Sequence, residues 1–543
     1  MDCTIQDFPL TVTSILRYGT TIHADRIVST ATDDGYRETS FGELGARVAQ
    51  LANGLRRLGV SGDERVATFM WNTQEHLEAY FAVPCMGAVL HTLNVRLSDE
   101  QIEFIAYDAE DQVVIVDMSL AEQLAQVLPR METVRAVVAV GDGDIDVLTA
   151  AGKEVVPYEQ LIAAESATYP WPDLDERSAA AMCYTSGTTG HPKGVVYGHR
   201  STYLHSVALC STNGLALSES DCVLPAIPMF HANGWGLAIG ALIAGANVVL
   251  PNRFLQGRRL LQMIEDRKVT FAAGVPTIWT DVLHCLEADP DADISSLRVI
   301  LSGGSAVPEY LMDVYQNKFG LPLMQLWGMT ETSPIASVAR SPAGAEPLEA
   351  WKWRLTQGRP IFGVEMRIVD DEGKVLPSDG ESVGELEVRG PWVTGGYYRG
   401  RDAEKFAHGW LRTGDVGKID SHGYVTLTDR AKDVIKSGGE WISSVELENH
   451  IMSHPAVLEA AVVGVADERW QERPLAAIVL HENADVSAPE LRDYLRDKVV
   501  RWWLPERWTF IDEVPKTSVG KFDKKLIRSR YSDDVYHVVE CAD

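Results

Sequence analysis

The chain has 543 residues, of which 45% are hydrophobic and 23% charged, proportions typical of a soluble globular protein with at least two domains. Its net charge of −28 argues against nucleic acid and against an anionic membrane surface as main partners. Seven scattered cysteines without a Cys-x-x-Cys pair favour reduced thiols in the cytoplasm over a disulfide framework or a zinc site. The N-terminus lacks a secretory pattern, and the longest apolar run, about 235–250, is too short and interrupted to span a membrane.

Helix-like and strand-like patterns alternate through the first two thirds of the chain. Apolar residues at helical spacing predict a helix over 41–58, and another helix is expected from about residue 75. Short apolar runs predict strands at 65–70, 112–116, 136–140, 179–183, 248–250, 269–271, 298–301 and 323–327. This alternation predicts α/β layers with largely parallel sheets, in which loops at the carboxyl ends of strands bind ligands.

The pattern changes twice towards the C-terminus. From about 360 to 429, short runs with many turns predict a small β unit. Beyond Asp429, helices at 445–452 and from 488 to about 502, with a strand at 460–465, predict a compact α+β domain. The predicted fold class is therefore α/β: a large N-terminal domain of layered, helix-flanked sheets with a small β unit, and a smaller α+β C-terminal domain.

The loop that follows the strand at 179–183 has the composition of an anion-binding site. Glycines let backbone N–H groups face a ligand, while hydroxyls and Lys193 add donors and charge, which favours a polyphosphate. The usual P-loop pattern does not fit, because Lys193 follows His191-Pro192 and precedes Gly194. An ordinary polar surface loop is the alternative. The predicted phosphate-binding residues are Thr185, Ser186, Gly187, Thr188, Thr189, Gly190 and Lys193.

This loop resembles the phosphate loop of the adenylate-forming superfamily, which comprises acyl-CoA synthetases, peptide-synthetase adenylation domains and firefly-type luciferases. The family activates a carboxylate with ATP to an acyl-adenylate, releases pyrophosphate and usually passes the acyl group to a thiol. The resemblance implies ATP, a small carboxylic acid and coenzyme A as substrates, with Mg²⁺ held partly by the hydroxyl of Thr185.

The segment 228–235, Pro-Met-Phe-His-Ala-Asn-Gly-Trp, resembles the acyl-site motif of fatty acyl-CoA synthetases. The resemblance implies that His231 borders the reacting carboxylate as a catalytic residue, that Ala232 lies in the acyl pocket and that Trp235 gates it. A bulky aromatic side chain at the mouth of an apolar pocket would exclude water from a reactive mixed anhydride. Without the other motifs, packing on one helix face explains a His and a Trp four residues apart.

Two further segments point to a nucleotide. In 302–306 the paired glycines would let a flat ring approach the backbone, and the resemblance places adenine at Gly303, Gly304 and Ser305; a tight turn is the alternative. The segment 325–332 resembles the family's Tyr-Gly-x-Thr-Glu sequence. That likeness implies nucleotide contacts for Gln325, Leu326, Trp327, Gly328, Met329 and Thr330, and a catalytic, Mg²⁺-binding role for Glu331.

Trp327 stands where the family usually has Tyr. Stacking on the base is expected to survive, but a phenolic hydroxyl is lost and the indole is larger, which predicts weakened or retuned nucleotide binding.

Three C-terminal motifs complete the resemblance. In Arg412-Thr413-Gly414-Asp415, the carboxylate of Asp415 suits a vicinal diol and is implied to bind ribose. The segment 429–441 implies a hinge at Asp429, nucleotide contacts for Arg430, Lys432, Lys436 and Trp441, and a CoA path along Gly438, Gly439 and Glu440. In 515–522, Lys521 matches the adenylation lysine, which a movable domain brings to the reacting carboxylate and α-phosphate. A solvated lysine is the alternative.

The motifs together predict an ATP-dependent, AMP-forming acid–CoA ligase, closest to medium- and long-chain fatty acyl-CoA synthetases. Its domains are expected at 1–429 and 430–543. Trp327, and Gly198 where relatives often have Ser, leave open a member that retains only thioesterification of a pre-formed acyl-adenylate. A non-catalytic nucleotide- or acyl-binding protein is the other alternative.

No carrier domain is expected after Asp543, which disfavours a peptide-synthetase module, and no residue points to a luciferase-like oxygenase. The acid's chain length and branching are not encoded in these motifs. A homodimer stays open because related synthetases are often dimers.

Overall fold

The computed structural model describes residues 1, 3–185, 192–430, 433–437, 440–467, 469–517 and 521–541. Within these ranges the α-helices, numbered α1 to α16 along the chain, are Val12–Ile22, Phe41–Arg57, Gln74–Cys85, Asp99–Ala109, Ala121–Val127, Asp146–Thr149, Tyr158–Ala163, His199–Cys210, Leu237–Ala244, Gly257–Arg267, Pro276–Ala288, Glu309–Phe319, Pro347–Arg354, Ser444–Met452, Ala488–Leu495 and Lys524–Ser532. The strands, β1 to β26 over the same ranges, are Ile27–Ala31, Tyr36–Ser40, Arg65–Phe69, Val89–Thr92, Asp111–Asp117, Ala136–Val140, Glu154–Pro157, Ala179–Tyr184, Gly194–Gly198, Cys222–Pro225, Asn247–Leu250, Phe271–Gly274, Val299–Ser302, Leu323–Gly328, Ile335–Val338, Arg359–Pro360, Glu365–Val369, Gly384–Arg389, Leu411–Ile419, Val425–Arg430, Ile435–Ser437, Glu440–Ile442, Val457–Asp467, Gln471–Leu480, Arg507–Phe510 and Val538–Glu540.

The first sheet has the strand order β7-β6-β5-β3-β4-β8-β9 and is parallel except for the last pair. Its inner strands, such as β5, β6 and β8, are largely buried, whereas the edge strand β7 is not. Helix α2 shows how the sequence specifies a helix of this domain. The side chain of Ser40 accepts a hydrogen bond from the backbone N–H of Glu43, whose carboxylate accepts one from the N–H of Ser40. This capping box starts the helix where the apolar periodicity begins.

The second sheet has the order β16-β15-β14-β13-β12-β10-β11-β1-β2. Strands β10, β12, β13 and β14 are parallel neighbours, so their carboxyl ends meet at one edge. The segments after β10, β13 and β14 are those predicted to carry the acyl, adenine and metal sites. The topology therefore gathers them where α/β proteins bind ligands.

Two smaller antiparallel units follow. Strands β17-β18-β19-β20 form the small β unit, which spans Glu365 to Arg430 and so begins slightly later than predicted. The C-terminal sheet has the order β22-β21-β24-β25-β26, with β23 paired to β24. Among the described residues, each hydrophobic core cluster draws its members from only one side of Arg430. The predicted class, a large α/β domain followed by a smaller α+β domain, is confirmed.

One predicted element was wrong in its length. The helix expected from 488 to about 502 ends at Leu495, and a short 3₁₀ turn occupies Arg501–Trp503. Arg473 on β24 donates to the carbonyl of Trp502 at 2.7 Å and to that of Leu504 at 3.3 Å. These tertiary hydrogen bonds, together with the poor helix propensity of Val499-Val500, outweigh the local apolar pattern.

A search of the described residues for transmembrane helices found no helix with the length and apolar character that crossing a bilayer requires.

Candidate active site between the two domains

The predicted phosphate loop connects β8 to β9, and its base is well defined. The backbone N–H of Thr185 donates to the carbonyl of Lys193 at 2.9 Å, and the N–H of Lys193 donates to the hydroxyl of Thr185 at 3.1 Å. These two bonds continue the ladder of β8 and β9 into the loop. The predicted phosphate ligands Ser186, Gly187, Thr188, Thr189 and Gly190 lie outside the described residues.

The ammonium of Lys193 is paired with a carboxylate that sequence reasoning missed. Its Nζ forms an ion pair with Asp402 and lies 5.3 Å from the ring centre of Tyr397. Both residues belong to the segment 397–402, which we term the strap. Lys193 is therefore held in place by a protein anion and an aromatic face before any phosphate arrives.

The strap also contacts the predicted metal-binding carboxylate. Glu331 lies in a 3₁₀ turn after β14, is 5% exposed and accepts a hydrogen bond from the hydroxyl of Tyr397. Burial and the neighbouring Glu331 carboxylate raise the pKa of Tyr397, so this hydroxyl stays protonated and donates. Tyr397 of the strap thus contacts Lys193 through its ring and orients Glu331 through its hydroxyl.

The strap is anchored to the end of α4. Arg399 and Arg401 both form ion pairs with Asp108, which is buried at the end of α4. Asp108 also accepts a hydrogen bond from the hydroxyl of Tyr184, the last residue of β8, at 2.7 Å. The strap therefore connects the small β unit to the strand that leads into the loop.

The buried carboxylate of Glu331 and the hydroxyl of Thr185 are oxygen donors of the kind that magnesium prefers. Mg²⁺ in nucleotide sites takes one or two protein oxygens and completes its shell with phosphates and water. In the described part of the chain there is no group of three or more His, Cys, Asp or Glu side chains that could hold a metal by themselves. A single buried carboxylate with one orienting donor is the kind of ligand such a shared site requires.

A cleft of about 240 Å³ lies between the N-terminal and C-terminal domains. It is lined by residues of both, and the predicted nucleotide and catalytic residues that it brings together are Gly304, Ser305, Leu326, Trp327, Gly328, Asp415 and Lys521. These come from the loops after β13 and β14, from β19 and from the C-terminal domain. Groups as much as 217 positions apart in sequence, from Gly304 to Lys521, thus share one cavity.

Lys521 reaches deep into this cleft. Its Cε lies 3.7 Å from the place that a Cβ on Gly304 would take, so the glycine leaves room for the lysine stem. The backbone of Lys521 is fixed by Thr517, whose N–H donates to the Lys521 carbonyl at 2.7 Å and whose hydroxyl accepts from the Lys521 N–H at 3.2 Å. The C-terminal domain thus presents this lysine on a short hydrogen-bonded turn.

His231 interacts electrostatically with the same lysine. Burial, with smaller contributions from the cationic Lys521 and Arg96, lowers the pKa of His231 to about 3. His231 is therefore neutral at physiological pH. The electrostatic contact places the predicted acyl-site histidine beside the predicted adenylation lysine.

The acyl-site motif folds into an unusual left-handed turn. All five residues from Ala232 to Gly236 have positive φ, and three of them, Ala232 (43°), Asn233 (50°) and Trp235 (57°), are not glycine. Left-handed conformations cost L-residues about 1–2 kcal/mol each. Ala232 and Trp235 are buried at 3% and 5% exposure. Strain of this kind is typical of functional sites.

Neighbouring side chains hold the segment that leads into this turn. Asn72 donates to the carbonyls of Pro225 and Ile227 and accepts from the N–H of Met229 at 2.7 Å. The hydroxyl of Tyr80 donates to the carbonyl of Met229. Sequence reasoning missed both residues, because neither belongs to a motif; the position of Asn72 just after β3 was the available signal.

Asn233 anchors the turn to the strand before the phosphate loop. Its side-chain oxygen accepts from the thiol of Cys183 on β8 at 2.8 Å and from the hydroxyl of Thr92 on β4 at 3.4 Å. Burial raises the pKa of the Cys183 thiol to about 11, so the thiol keeps its proton and donates. The acyl and phosphate segments thereby share a strand.

Other predicted site residues do not line the cleft. The Gln325 amide donates to the carbonyls of Arg354 and Leu355 and accepts from the N–H of Val307, so its side chain is used inside the fold. The Thr330 carbonyl accepts from the hydroxyl of Tyr197 at 2.7 Å. The described lining of the cleft also does not include Gly303, Met329 or Lys436.

Part of the predicted segment 429–441 lies outside the described residues. Lys432, Gly438 and Gly439 lie outside the described residues, and the side chains of Asp429, Arg430, Glu440 and Trp441 are likewise not described. The backbone places Asp429 and Arg430 at the end of β20, where Arg430 pairs in register with Asp415.

Comparisons with known proteins identify relatives of the whole chain. The model of the AMP-binding enzyme family matches residues 21–398, and that of the AMP-binding enzyme C-terminal domain matches residues 446–521. A 3-methylmercaptopropionyl-CoA ligase of Ruegeria lacuscaerulensis is 40% identical over 531 residues, covering 97% of this chain and 98% of the relative. A medium-chain-fatty-acid–CoA ligase of Ectopseudomonas oleovorans is 40% identical over 529 residues, covering 96% of each.

Among solved structures, the anthranilate CoA ligase AuaEII in complex with anthranoyl-AMP superposes with a TM-score of 0.88 at 27% identity. The match covers 97% of this chain and 99% of that one. The likeness therefore extends over both domains.

Proposed function

Because this chain belongs to the family of AMP-binding enzymes, we propose that it is an ATP-dependent, AMP-forming acid–CoA ligase. It activates an apolar carboxylic acid to an acyl-adenylate and then forms the CoA thioester. The observation that carries this proposal is the position of Lys521, a cation of the C-terminal domain that lines the same cleft as Trp327 and Asp415.

The first half-reaction joins the acid to the nucleotide. Asp415 accepts the ribose hydroxyls, and Lys193 exchanges Asp402 for the phosphates. Glu331 and Thr185 would hold Mg²⁺, which neutralises phosphate charge when bound. An oxygen of the substrate carboxylate attacks the α-phosphorus and pyrophosphate leaves. Lys521 stabilises the charge on the α-phosphate and the carboxylate as that bond forms.

His231 serves this step as a neutral group. Its pKa of about 3 keeps an imidazolium from competing with Lys521 for the carboxylate. The buried indole of Trp235 beside it keeps water from the mixed anhydride.

In the second half-reaction the thiol of CoA attacks the acyl carbonyl and AMP leaves. We place the domains at 1–429 and 430–543 and the pivot at Asp429, so that rotation withdraws Lys521 and brings Gly438, Gly439 and Glu440 to the cleft. Lys432, Lys436, Arg430 and Trp441 are assigned to the nucleotide by resemblance. Separate cores on the two sides of Arg430 support independent movement.

The acid is apolar. The acyl-site turn presents Ala232 and the indole of Trp235, and it packs on the apolar helix α9. The relatives that carry medium-chain-fatty-acid and 3-methylmercaptopropionyl names take acids of this chemistry. These observations favour an aliphatic acid with a small or flexible chain.

We propose that the enzyme is cytoplasmic and that it forms a homodimer. The seven cysteines are all free, which suits a reducing compartment. Ile5, Phe8, Tyr18 and Ile22 near the N-terminus are between 48% and 81% exposed, and a partner subunit would cover them.

The test uses Lys521→Ala. We expect acid-dependent ATP–pyrophosphate exchange to fall by about 100-fold or more, because the lysine acts only while the adenylate forms. Thioester formation from synthetic acyl-adenylate and CoA should be retained. Lys525→Ala, an exposed lysine four positions further along, is the matched control and should change neither rate.

Each alternative function predicts a different outcome of these assays. Equal loss of both half-reactions in Lys521→Ala would refute the division of labour. A wild-type chain that forms thioester only from supplied acyl-adenylate would be a thioesterification enzyme. Nucleotide binding without any acid-dependent pyrophosphate release would identify a non-catalytic binding protein.

A further inference from the structure

The indole of Trp327 donates a hydrogen bond to the carboxylate of Asp415. Its Nε1 lies 2.8 Å from Oδ2, and the two residues are 6% and 5% exposed. They come from different sheets, since Trp327 is the penultimate residue of β14 in the large sheet and Asp415 lies on β19 of the small β unit. Both line the cleft that receives Lys521.

Both ends of this hydrogen bond are fixed by the backbone. After Trp327 the pairing of β14 with β15 shifts register, and a Cβ on Gly328 would fall 2.0 Å from the carbonyl oxygen of Pro334. Only glycine permits that close approach, which sets the direction in which the indole leaves the strand.

The backbone that carries the Asp415 carboxylate is also held by hydrogen bonds. The N–H of Asp415 donates to the hydroxyl of Thr413 at 3.0 Å, and that hydroxyl donates to the carbonyl of Leu386 at 2.7 Å. The indole and the carboxylate therefore meet with little freedom on either side.

The chemistry of this pair is directional. An indole N–H can only donate, and an ionised carboxylate can only accept, so the hydrogen bond has one polarity. By occupying one lone-pair direction of Oδ2, the indole fixes the plane of the carboxylate. A carboxylate with a fixed plane can accept from two adjacent hydroxyl groups with less loss of freedom than a rotating one.

We propose that Trp327 is a positioning residue for ribose recognition: its N–H orients the Asp415 carboxylate towards the vicinal hydroxyls of a ribonucleoside triphosphate. This inference rests on the proposed function, in which Asp415 binds ribose. It gives the indole a role in selecting ribose over deoxyribose, in addition to packing of its ring against the base.

The experiment compares ATP with 2′-deoxy-ATP and 3′-deoxy-ATP in acid-dependent adenylation by Trp327→Phe, which keeps an aromatic ring but removes the N–H. We expect kcat/KM for ATP to fall about tenfold and kcat/KM for each deoxy analogue to fall less than about threefold. The preference for ribose should therefore shrink. Equal losses for all three nucleotides would overturn the proposal, because they would assign Trp327 a purely packing role.

Trp410→Phe is the matched control. Trp410 lies on the same small unit, against the guanidinium groups of Arg367 and Arg389, and its replacement should leave the ribose preference unchanged. Asp415→Asn tests whether Asp415 binds ribose, separately from whether Trp327 orients it. If Asp415→Asn leaves the preference for ATP over deoxy-ATP intact, the assignment of ribose to Asp415 in the proposed function fails. If Asp415→Asn abolishes the preference while Trp327→Phe keeps it, only the role of Trp327 fails.

A second variant covers the case in which Trp327→Phe does not fold. Replacing residue 327 by 3-benzothienylalanine retains the shape of indole and exchanges its N–H for sulfur. We expect the same selective loss on ATP, and an unchanged ribose preference in this folded variant would refute the inference.

Discussion

At the scale of single residues, the charges around the phosphate loop are already paired. Lys193 forms an ion pair with Asp402, and Glu331 accepts a hydrogen bond from the hydroxyl of Tyr397. Arg399 and Arg401 form ion pairs with Asp108. A phosphate that approaches Lys193 must therefore compete with a protein carboxylate. The affinity for ATP reflects the difference between two ion pairs and not the strength of one.

This competition predicts the effect of Asp402→Asn. Removing the carboxylate charge frees Lys193 for phosphate, and we expect KM for ATP to fall by about two- to fivefold, the range of a partly exposed ion pair. Measuring KM for ATP at saturating acid and CoA checks it. Glu404→Gln, an exposed charge two positions away, is the control. A raised KM in Asp402→Asn would mean that the carboxylate instead orients the lysine for the nucleotide.

At the scale of elements, the left-handed turn at 232–236 is the most demanding part of the site. Asn233 combines a positive φ of 50° with side-chain contacts to Cys183 and Thr92. Asn tolerates the left-handed region better than most residues, because its side chain forms local hydrogen bonds. Asn233 thus adopts the left-handed backbone conformation and also anchors the turn through its side chain.

Two replacements of Asn233 separate these roles. Asn233→Gly and Asn233→Ala both remove the anchor, but alanine in addition must hold a left-handed conformation. We expect the alanine variant to be less stable than the glycine variant by about 1 kcal/mol in denaturant unfolding. Both variants should lose activity on the acid.

Asn483 provides the control for this comparison. It has a φ of 62° at an exposed position of the C-terminal domain. The same alanine–glycine difference is expected there, without loss of activity. Equal stability of the two Asn233 variants would show that the turn relaxes to another conformation.

The sequence predicted the elements of this site better than their contacts. Strands β8, β13 and β14 end where apolar runs meet Gly, Ser and Thr, so local pattern was sufficient to find their loops. The strap escaped notice because its partners are remote: 209 residues separate Lys193 from Asp402, and 293 separate Asp108 from Arg401. No local pattern encodes such pairs.

The same limit applies to Gln325 and to α15. The nucleotide contact of Gln325 stays a prediction, but the motif does not encode the hydrogen bonds that its amide donates to the carbonyls of Arg354 and Leu355. The length of α15 was wrong because Arg473, a residue of β24, fixes the chain after Leu495. Both outcomes depend on tertiary contacts that outweigh local pattern.

At the scale of the whole molecule, buried histidines govern stability in acid. Burial lowers the pKa to about 4 for His76 and His199 and to about 3 for His205 and His231. The unfolded chain protonates these groups near pH 6.5, whereas the folded chain does not. The unfolded state thus binds more protons, and stability is lost as pH falls from about 6.5 towards 4.

We expect each such histidine to contribute about 1.4 kcal/mol of lost stability per pH unit over that window. His205→Gln retains an acceptor for the N–H of Ile335, now 3.2 Å from the imidazole, and should flatten the fall of Tm between pH 6.5 and 4.5. His408→Gln at an exposed position should keep the wild-type slope. An unchanged slope in His205→Gln would contradict the assignment.

The ion pair between Lys193 and Asp402 also bears on how a chain of net charge −28 accepts a highly charged nucleotide. Loading the site swaps one counter-ion of the lysine for another, so little new attraction is created at that point. Ionic strength then acts mainly on the diffusive approach of ATP through the repulsive outer field, which salt screens. Added salt should accordingly speed the encounter while changing the residence time of the bound nucleotide far less.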